Sequence, residues 1–330
     1  MKKVLITGVA GMIGSHLADA LLAKGYRVLG IDNLSVGKKA NIAHNLGNPK
    51  FVFRKGDILN YAVLKRICAG QRFDSIVHLT ASKKIGEGGD SIELLNNNVK
   101  GTENVLKLAE LKTCKVVLGS TSDVYGMSAD IPFREKGNLL LGPTTAKRWT
   151  YAVSKIYCEQ LALGYYKERD VPIVILRYFG GFSPRASISW RGGHIPVFID
   201  AVLKNREIII HGDGKQTRSM AYISDIVEGT ILGMENDKAV GNIFNIGNDE
   251  EMSVLDTAYL IHKLAGKKGK PKIKFVPLKK IFGDYREIKR RIPDLNKSYR
   301  ILGYRPKVSF EKGLALTIKS RKEQLEKSWK

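Results

Sequence analysis

The sequence predicts an α/β fold built on a doubly wound parallel sheet. Short apolar runs alternate with helical patterns from the N-terminus to about residue 178, as in sheets whose parallel strands are joined by crossover helices. The first apolar run leads into a glycine-rich turn, and the second ends in a carboxylate. These features predict a Rossmann domain over residues 1–178. We expect residues 179–330 to form a smaller α/β part.

The glycine-rich turn is the first element with a chemical implication. Val4–Thr7 is a predicted buried strand, and Ser15–Ala23 is the predicted helix after the turn. Glycines at this spacing allow a sharp turn, close packing of helix on strand, and approach of a pyrophosphate to the helix N-terminus. The run is a Gly-x-x-Gly-x-x-Gly variant of the commoner dinucleotide fingerprint: Gly8-Val9-Ala10-Gly11-Met12-Ile13-Gly14.

A carboxylate at the end of the second strand points to the nature of the dinucleotide. The predicted strand Arg27–Ile31 ends at Asp32, where a carboxylate can bind the adenosine ribose hydroxyls. Because a carboxylate repels a 2′-phosphate, the sequence favours NAD over NADP. The nearby Lys38 and Lys39 leave NADP open.

The following segments continue the alternation of strand and helix. Predicted strands cover Phe51–Phe53, Ser75–Leu79, Val116–Gly119 and Ile173–Leu176, and predicted helices cover Tyr61–Cys68, Asn98–Leu111 and a run from Ala146 to about Glu168. Ligands of such sheets bind beyond the carboxyl ends of the strands. The residues predicted at those ends are Asp57, Thr80, Ala81, Thr121 and Tyr178.

A Tyr and a Lys four residues apart open the last of these helices. Tyr151 and Lys155 lie on one helix face, and a nearby ammonium favours the phenolate, which would lower the pKa of the tyrosine towards the range of a general base. The spacing alone is weak evidence, because Tyr61/Lys65 and Tyr259/Lys263 repeat it.

Composition narrows the class of protein. The 330 residues carry a net charge of +23, but no basic run is interleaved with stacking aromatics. A solvated basic surface, whose field would also attract an anionic small substrate, is therefore a better expectation than a nucleic-acid interface. No apolar run approaches the roughly 18 residues of a membrane span, and we expect a cytoplasmic protein. The cysteines Cys68, Cys114 and Cys158 are far apart, which favours buried thiols over a disulfide or metal site.

Taken in order, the motifs resemble those of extended short-chain dehydrogenases/reductases, and more narrowly the NAD-dependent sugar-nucleotide epimerase/dehydratase family. The resemblance covers essentially the whole chain. Besides the glycine turn, the matching runs are Asp32-Asn33-Leu34, Gly56-Asp57-Ile58, His78-Leu79-Thr80-Ala81, Asn98-Val99-x-Gly101-Thr102, Ser120-Thr121-Ser122-Asp123-Val124-Tyr125-Gly126, Tyr151-x-x-x-Lys155 and Arg177-Tyr178-Phe179.

The resemblance implies a tightly held NAD that takes a hydride from C4 of a nucleotide-linked hexose and later returns it. Tyr151 would be the base, Lys155 would hold the nicotinamide ribose, and Thr121 would hydrogen-bond the same sugar hydroxyl. The implied cofactor contacts are Gly8, Gly11, Met12, Ile13, Gly14, Asp32, Asn33, Asp57, Ile58, Leu79, Ala81, Asn98 and Tyr178, together with Tyr151 and Lys155.

The resemblance also implies that residues 179–330 mainly bind substrate and that one segment of them returns to the sheet. Arg218 ends a Gly-Asp-Gly-Lys-Gln-Thr-Arg run that resembles the family loop reaching the substrate diphosphate, and Arg291 lies in the late basic motif. Arginine suits phosphate and carboxylate because its planar fork matches both. Further candidate substrate residues are Lys83, Lys84, Ser122 and Arg185.

One position departs from the family pattern. Relatives commonly have Arg-x-Phe-Asn on the strand after the catalytic helix, whereas this chain has Gly180. The substitution removes an amide contact. We expect the room left at Gly180 to admit a different sugar or nucleotide pose.

The reaction branch depends on the residues after Thr121. Family 4,6-dehydratases place Asp and then Glu there; Ser122 and Asp123 stand here instead, and a serine is a poor acid for dehydration. Decarboxylases of UDP-glucuronate carry Thr-Ser-Glu-Val-Tyr-Gly, and the bacterial aminoarabinose-pathway enzyme also has a Gly-Pro-x-x-x-x-Arg-Trp-x-Tyr run, which the segment from Gly142 to Tyr151 resembles. We rank a 4-epimerase of a UDP-linked hexose first, UDP-glucuronate decarboxylase second and dehydratase third, with Asp123 as a further catalytic candidate.

The remaining expectations concern assembly and other classes of function. The helices Asn98–Leu111 and Thr150–Arg169 resemble the pair that forms a four-helix dimer interface in relatives, so we expect a homodimer. A non-catalytic NAD-binding regulator would need the glycine turn but not Thr121, Tyr151 and Lys155 together.

Overall fold

The fold is described from a computed structural model, which covers residues 1–83, 89–189, 193–279 and 287–328. Its strands are β1 (Lys3–Thr7), β2 (Arg27–Asp32), β3 (Phe51–Lys55), β4 (Ser75–His78), β5 (Lys115–Thr121), β6 (Ile173–Tyr178), β7 (Gly181–Phe182), β8 (Ile208–His211), β9 (Thr217–Ser219), β10 (Ala221–Tyr222), β11 (Asn242–Ile246), β12 (Glu251–Ser253) and β13 (Ile273–Val276). Its α-helices are α1 (Met12–Ala23), α2 (Tyr61–Ile67), α3 (Ser91–Lys112), α4 (Thr150–Arg169), α5 (His194–Leu203), α6 (Ile223–Glu235), α7 (Val254–Leu264), α8 (Asn296–Leu302) and α9 (Phe310–Ser328).

The central feature is a sheet of seven described strands in the order β11-β6-β5-β4-β1-β2-β3. Every described neighbour in it is parallel. The order turns back on either side of β1 and β4, as in a doubly wound sheet, and the predicted Rossmann-like fold class is confirmed.

Alternation along the strands explains why both faces of this sheet are covered. In β1, Val4 and Ile6 belong to one core cluster, whereas Leu5 belongs to the other. Successive strand side chains point to opposite faces, so an apolar run without polar interruptions must be buried on both sides. Helices α1 and α6 supply the first cluster, and α3 and α4 supply the second.

The second half of the chain contributes to this sheet and also builds a core of its own. Strand β11 pairs with β6 at one edge, and α6 packs in the same cluster as β1. A separate cluster joins α5, β8, α7 and α9. The cavity described below lies between this cluster and the carboxyl ends of the sheet strands.

The predicted first residues of two helices are wrong. Helix α3 begins at Ser91 rather than Asn98, because the Asp90 carboxylate accepts the N–H groups of Ile92 and Glu93 and caps the helix early. Helix α4 begins at Thr150, after a short 3₁₀ turn at Lys147–Trp149, rather than at Ala146. The three cysteines are buried, as expected.

Candidate active site

A cavity of about 940 Å³ opens at the carboxyl ends of the sheet strands. It brings together residues predicted from distant parts of the sequence. Those that line it are Gly11, Met12, Ile13, Lys83, Thr121, Ser122, Asp123, Tyr151, Tyr178, Arg185, Arg218 and Arg291. The predicted catalytic and substrate residues within the described ranges therefore face one space, with the exception of Lys155.

Other predicted residues lie outside this lining, within the ranges that the structure describes. They are Gly8, Gly14, Asp32, Asn33, Asp57, Ile58, Leu79, Ala81, Asn98 and Lys155. Two of them have contacts within the fold: Asn98 donates to the Ser154 hydroxyl and accepts the Ser82 N–H, and Ile58 packs against Gly101. Lys84 lies outside the described residues.

The glycine turn has the shape that a pyrophosphate requires. A Cβ at Gly14 would lie 2.2 Å from the Gly8 oxygen, so the turn and α1 pack too closely for any side chain there. Gly8 has φ +76, which glycine adopts without strain. Within the described chain no side chain caps α1 at Gly11, and Gly11, Met12 and Ile13 line the cavity. The helix N-terminus is thus available to an anionic group.

Asp32 joins the glycine turn to the loop that follows β2. Its two carboxylate oxygens accept the N–H groups of Ala10 at 2.9 Å and Leu34 at 2.8 Å, and burial raises its pKa. The side chain of Asn33 donates to Asp57 at 3.1 Å. A carboxylate retains lone pairs beyond one hydrogen bond per oxygen, so Asp32 fits the ribose hydroxyls of a dinucleotide.

Thr121 and Tyr151 are adjacent at the cavity wall. Burial and then the Asp123 carboxylate raise the pKa of Tyr151, whereas a hydrogen bond with Thr121 lowers it. The expected lowering of this pKa by Lys155 is not observed. The Lys155 ammonium is buried one turn away, where Cys158 and Glu159 are the groups that favour its charge, and the Lys83 ammonium is the cation at 5.8 Å from the centroid of the Tyr151 ring.

Asp123 is the centre of a buried cationic cluster. One carboxylate oxygen lies 2.9 Å from the Arg291 guanidinium and 3.1 Å from that of Arg148. Burial disfavours the charged form, but Arg291, Arg148 and Lys83 together hold the pKa of Asp123 well below its usual range. We name Asp123, Lys83, Arg148 and Arg291 the Asp123 cluster.

Arg148 is a member of this cluster that the sequence interpretation did not assign. Its guanidinium lies 5.2 Å from the Trp149 ring centroid, and a Cβ at Gly142 would lie 2.5 Å from the Trp149 indole nitrogen. The Gly-Pro-x-x-x-x-Arg-Trp run thus packs as one unit, in which Gly142 makes room for Trp149 beside Arg148. In the sequence, Arg148 could have been found from this motif, which indicates resemblance to the decarboxylases and also contains the arginine.

The two other predicted arginines are held by carboxylates at the cavity wall. Arg218 lies 2.6 Å from Glu287 and donates to the carbonyl of Ile288 at 2.9 Å. Arg185 lies 2.7 Å from Asp19, which is on α1. Both guanidiniums are therefore fixed in position before any ligand binds.

The expectation that Gly180 leaves room for a different sugar or nucleotide pose is wrong. A Cβ at this position would lie 2.2 Å from the sulfur of Met220, so the thioether already fills the space that a side chain would occupy. Gly180 and Met220 both line the cavity.

Comparison with known proteins identifies the family. The family model described as GDP-mannose 4,6 dehydratase matches residues 5–317. The chain belongs to this family. That result confirms the resemblance to sugar-nucleotide epimerases and dehydratases.

Individual enzymes of known activity are also similar to this chain. The chain is 39% identical over 319 residues to the UDP-N-acetyl-alpha-D-glucosaminuronate decarboxylase of Bacillus cytotoxicus, covering 96% of this chain and 97% of the relative. It is 32% identical to UDP-glucuronic acid decarboxylase 4 of Arabidopsis thaliana, covering 98% and 69%. The UDP-glucuronic acid 4-epimerase of Bacillus cereus, solved in complex with UDP-glucuronic acid and NAD, is 32% identical with a TM-score of 0.85, covering 98% and 99%.

These comparisons test two earlier expectations. NAD is present in that solved neighbour, and the expected cofactor is confirmed at the level of the family. The ranking of 4-epimerisation first is less well supported than its alternative, since the curated relatives cited here are decarboxylases. None of the described helices is long and apolar enough to cross a membrane.

Proposed function

We propose that this chain is an NAD-dependent decarboxylase of a UDP-linked hexuronic acid. The observation that carries the proposal is the Asp123 cluster, which places three cationic side chains around one carboxylate beside Thr121 and Tyr151. A carboxylate at C6 of the sugar is the group that such a cluster attracts. The named decarboxylases among the relatives support the same conclusion.

Oxidation at C4 is assigned to the adjacent hydroxyls. NAD, when bound against the glycine turn and Asp32, supplies the hydride acceptor. Tyr151 removes the proton of the C4 hydroxyl, and the Thr121 hydroxyl orients that group by a hydrogen bond. Lys155 lies buried one turn further along α4, and we assign it to the nicotinamide ribose.

Loss of carbon dioxide then follows from the position of the carboxylate. Once C4 is a ketone, the C6 carboxylate belongs to a β-keto acid, and the electrons of the C5–C6 bond can move to the C4 oxygen as carbon dioxide leaves. The Tyr151 and Thr121 hydroxyls donate to that oxygen and stabilise its negative charge. A proton added at C5, followed by return of the hydride to C4 and of the Tyr151 proton to the C4 oxygen, would complete the turnover with loss of carbon dioxide as its net result. No dehydratase acid is needed at Ser122, which agrees with a serine at that position.

The substrate is assigned two further anchors. Arg218 lines the cavity and is held by Glu287, and we assign it to the diphosphate. Arg185 is held by Asp19 on α1, close to the glycine turn. The relatives suggest two sugars, glucuronate and N-acetylglucosaminuronate.

The test is incubation of the purified chain and NAD with UDP-glucuronate and with UDP-N-acetylglucosaminuronate. We expect a product lighter by carbon dioxide, measured by mass spectrometry and NMR, and a loss of about 10²- to 10⁴-fold in rate for Tyr151→Phe with NAD still bound. An unchanged mass with inverted C4 would instead establish a uronate 4-epimerase, the activity of the solved neighbour. Turnover of UDP-glucose in preference to either acid would contradict the assignment of the Asp123 cluster.

We also propose that two copies associate through α3 and α4. Val153 and Tyr157 are 44% and 52% exposed on the outer face of α4, and Ile92 of α3 is 73% exposed. A Cβ at Gly164 on α4 would meet no atom of the described residues within 4 Å, so this glycine leaves space for a close partner helix. The proposal predicts that Tyr157→Glu gives monomers in light scattering, whereas Tyr259→Glu, at a tyrosine of α7 that is 45% exposed, does not.

A further inference from the structure

The pair Gly180 and Met220 forms a distinct part of the cavity wall. The Met220 sulfur would lie 2.2 Å from a Cβ at Gly180, and its terminal methyl 3.1 Å. Met220 is 8% exposed and belongs to the apolar cluster of α5, β8, α7 and α9. The side chain is therefore packed from behind and shows the cavity only a small thioether surface.

This wall offers few hydrogen-bonding groups to a ligand. Gly180 has no side chain, and its carbonyl already accepts the Ala221 N–H at 2.8 Å. A thioether is a weak acceptor, and the neighbouring Ser219 hydroxyl oxygen is buried. A sugar hydroxyl placed against this wall would lose its hydrogen bonds to water without replacement, whereas a methyl group would pack on the sulfur.

The wall lies between the two ends of the proposed substrate. Thr121 is the register partner of Tyr178 on the neighbouring strand, and Gly180 follows Tyr178 by two residues. Arg218, assigned to the diphosphate, precedes Met220 by two residues. Thr121, Gly180, Met220 and Arg218 all line one cavity, and we take a substrate that reaches from Arg218 to Thr121 to pass the wall with the part of the sugar between C1 and C4.

We infer that Gly180 and Met220 form an apolar subsite for the methyl of a 2-acetamido group, so that the chain prefers a UDP-N-acetylhexuronate to the corresponding 2-hydroxy acid. This inference rests on the proposed decarboxylase function. One methyl-sized group in an apolar pocket gives discrimination of roughly 10- to 200-fold. An unpaired hydroxyl against the same wall adds to it in the same direction.

The experiment compares the two sugars on wild-type and Met220 variants. We expect wild type to favour UDP-N-acetylglucosaminuronate over UDP-glucuronate by about 10-fold or more in kcat/KM, measured as carbon dioxide released. Met220→Gln places an amide in the wall and should reduce the preference about 10-fold, mainly through KM. Met220→Leu keeps the wall apolar and should retain the preference. Equal turnover of both sugars by wild type, or a proportional loss on both with Met220→Gln, would overturn the inference.

Neighbouring glycines supply a matched control. Among the described residues, a Cβ at Gly181 would meet the Ile226 and Met12 side chains at 3.6 Å, which is ordinary contact, whereas a Cβ at Gly180 must displace the sulfur. Gly180→Ala should reduce the preference, and Gly181→Ala should not. If Gly180→Ala does not fold, the two Met220 variants still decide the question.

Direct binding separates this inference from the proposed function. Calorimetric titration of the NAD-loaded chain with the two nucleotide sugars measures the preference without turnover. Absence of carbon dioxide from both sugars, together with tighter binding of the N-acetylated one that Met220→Gln removes, would contradict the decarboxylase and support the subsite. Carbon dioxide release with equal affinities for the two sugars would support the decarboxylase and contradict the subsite.

Discussion

Two buried ionic groups lie close together in this protein and differ in what surrounds them. Glu159 and Arg177 form a pair in which both side chains are 4% exposed, with nitrogen and oxygen 2.7 Å apart. Ser120 donates to Glu159, and Arg177 also donates to the Glu135 carbonyl and lies over the Tyr125 ring. In the Asp123 cluster, by contrast, one carboxylate is shared among three cations, two of which line the cavity.

The difference indicates which group is structural and which is functional. The Glu159–Arg177 pair joins β5, α4 and β6 behind the cavity wall, and its hydrogen bonds are satisfied by the protein itself. The Asp123 cluster lies at the wall of the cavity, which Asp123, Lys83 and Arg291 line, and has more positive than negative side chains. A buried charge is costly unless it is compensated, so we expect stability to depend on the pair and catalysis to depend on the cluster.

Glu159→Gln should produce the largest effect on stability. Removing one partner of a buried ion pair leaves an uncompensated charge and costs about 3–5 kcal/mol, measured as the free energy of unfolding in urea. The matched change Glu228→Gln breaks the exposed pair with Lys307, whose side chains are 36% and 66% exposed, and should cost less than about 1 kcal/mol. Equal losses for the two variants would remove the structural role given to the buried pair.

Arg291→Gln should separate activity from stability. We expect kcat/KM on the uronate to fall roughly 10- to 100-fold, because a hydrogen bond to a charged group contributes about 1.5–3 kcal/mol. The adjacent Arg290 pairs with Glu251 at 2.9 Å and is 56% exposed, so Arg290→Gln makes the same charge change outside the cavity. A comparable loss for Arg290→Gln would show that the overall positive field, and not the Asp123 cluster, attracts the substrate.

Sequence patterns predicted the sheet and most of the cavity because these depend on local order. Apolar runs, glycine spacing and the strand ends around Thr121 and Tyr178 follow from short stretches of the chain, and parallel topology then brings the strand ends together. The proximity of Tyr151 to Thr121 was expected from the family resemblance, which assigns both side chains to the same sugar hydroxyl.

What could not be predicted depends on side chains that are distant in sequence. Nothing local at Gly180 indicates that Met220 fills the place of its missing side chain, and nothing local at Asp123 indicates that Arg148 and Arg291 converge on it. The early start of α3 was missed for a different reason: its Asp90 cap precedes a stretch with weak apolar periodicity. Epimerisation was ranked first because Asp123 is one methylene shorter than the glutamate of UDP-glucuronate decarboxylases and because bacterial epimerases share such runs. The charges around Asp123 come from residues that are distant in sequence.

The smallest expected effect is the change in unfolding free energy with pH that is due to His78, a buried histidine bonded within the protein. The His78 ring bonds the hydroxyls of Thr7 and Thr102 within the protein. Burial, and then the nearby Lys155 ammonium, lower the pKa of His78 from 6.5 to about 3. The unfolded chain therefore binds a proton below about pH 6.5 that the folded chain does not, and stability falls as pH falls from about 6.5 towards about 3. Between about pH 7.5 and pH 5 this residue should cost about 2 kcal/mol, from about 1.5 pKa units at about 1.36 kcal/mol each.

His78 and Asp123 respond to this titration in different ranges of pH. The pKa of Asp123 is lowered, so its contribution is present above its unfolded value near about 3.9 and is lost only as pH falls through the lower folded value. Asp123→Asn should therefore shift the curve of unfolding free energy against pH without changing its slope between about pH 5 and pH 7.5, whereas His78→Gln should make the slope shallower. A change of slope with Asp123→Asn in that range would mean that the carboxylate titrates there, and the cations of the Asp123 cluster would not hold it charged.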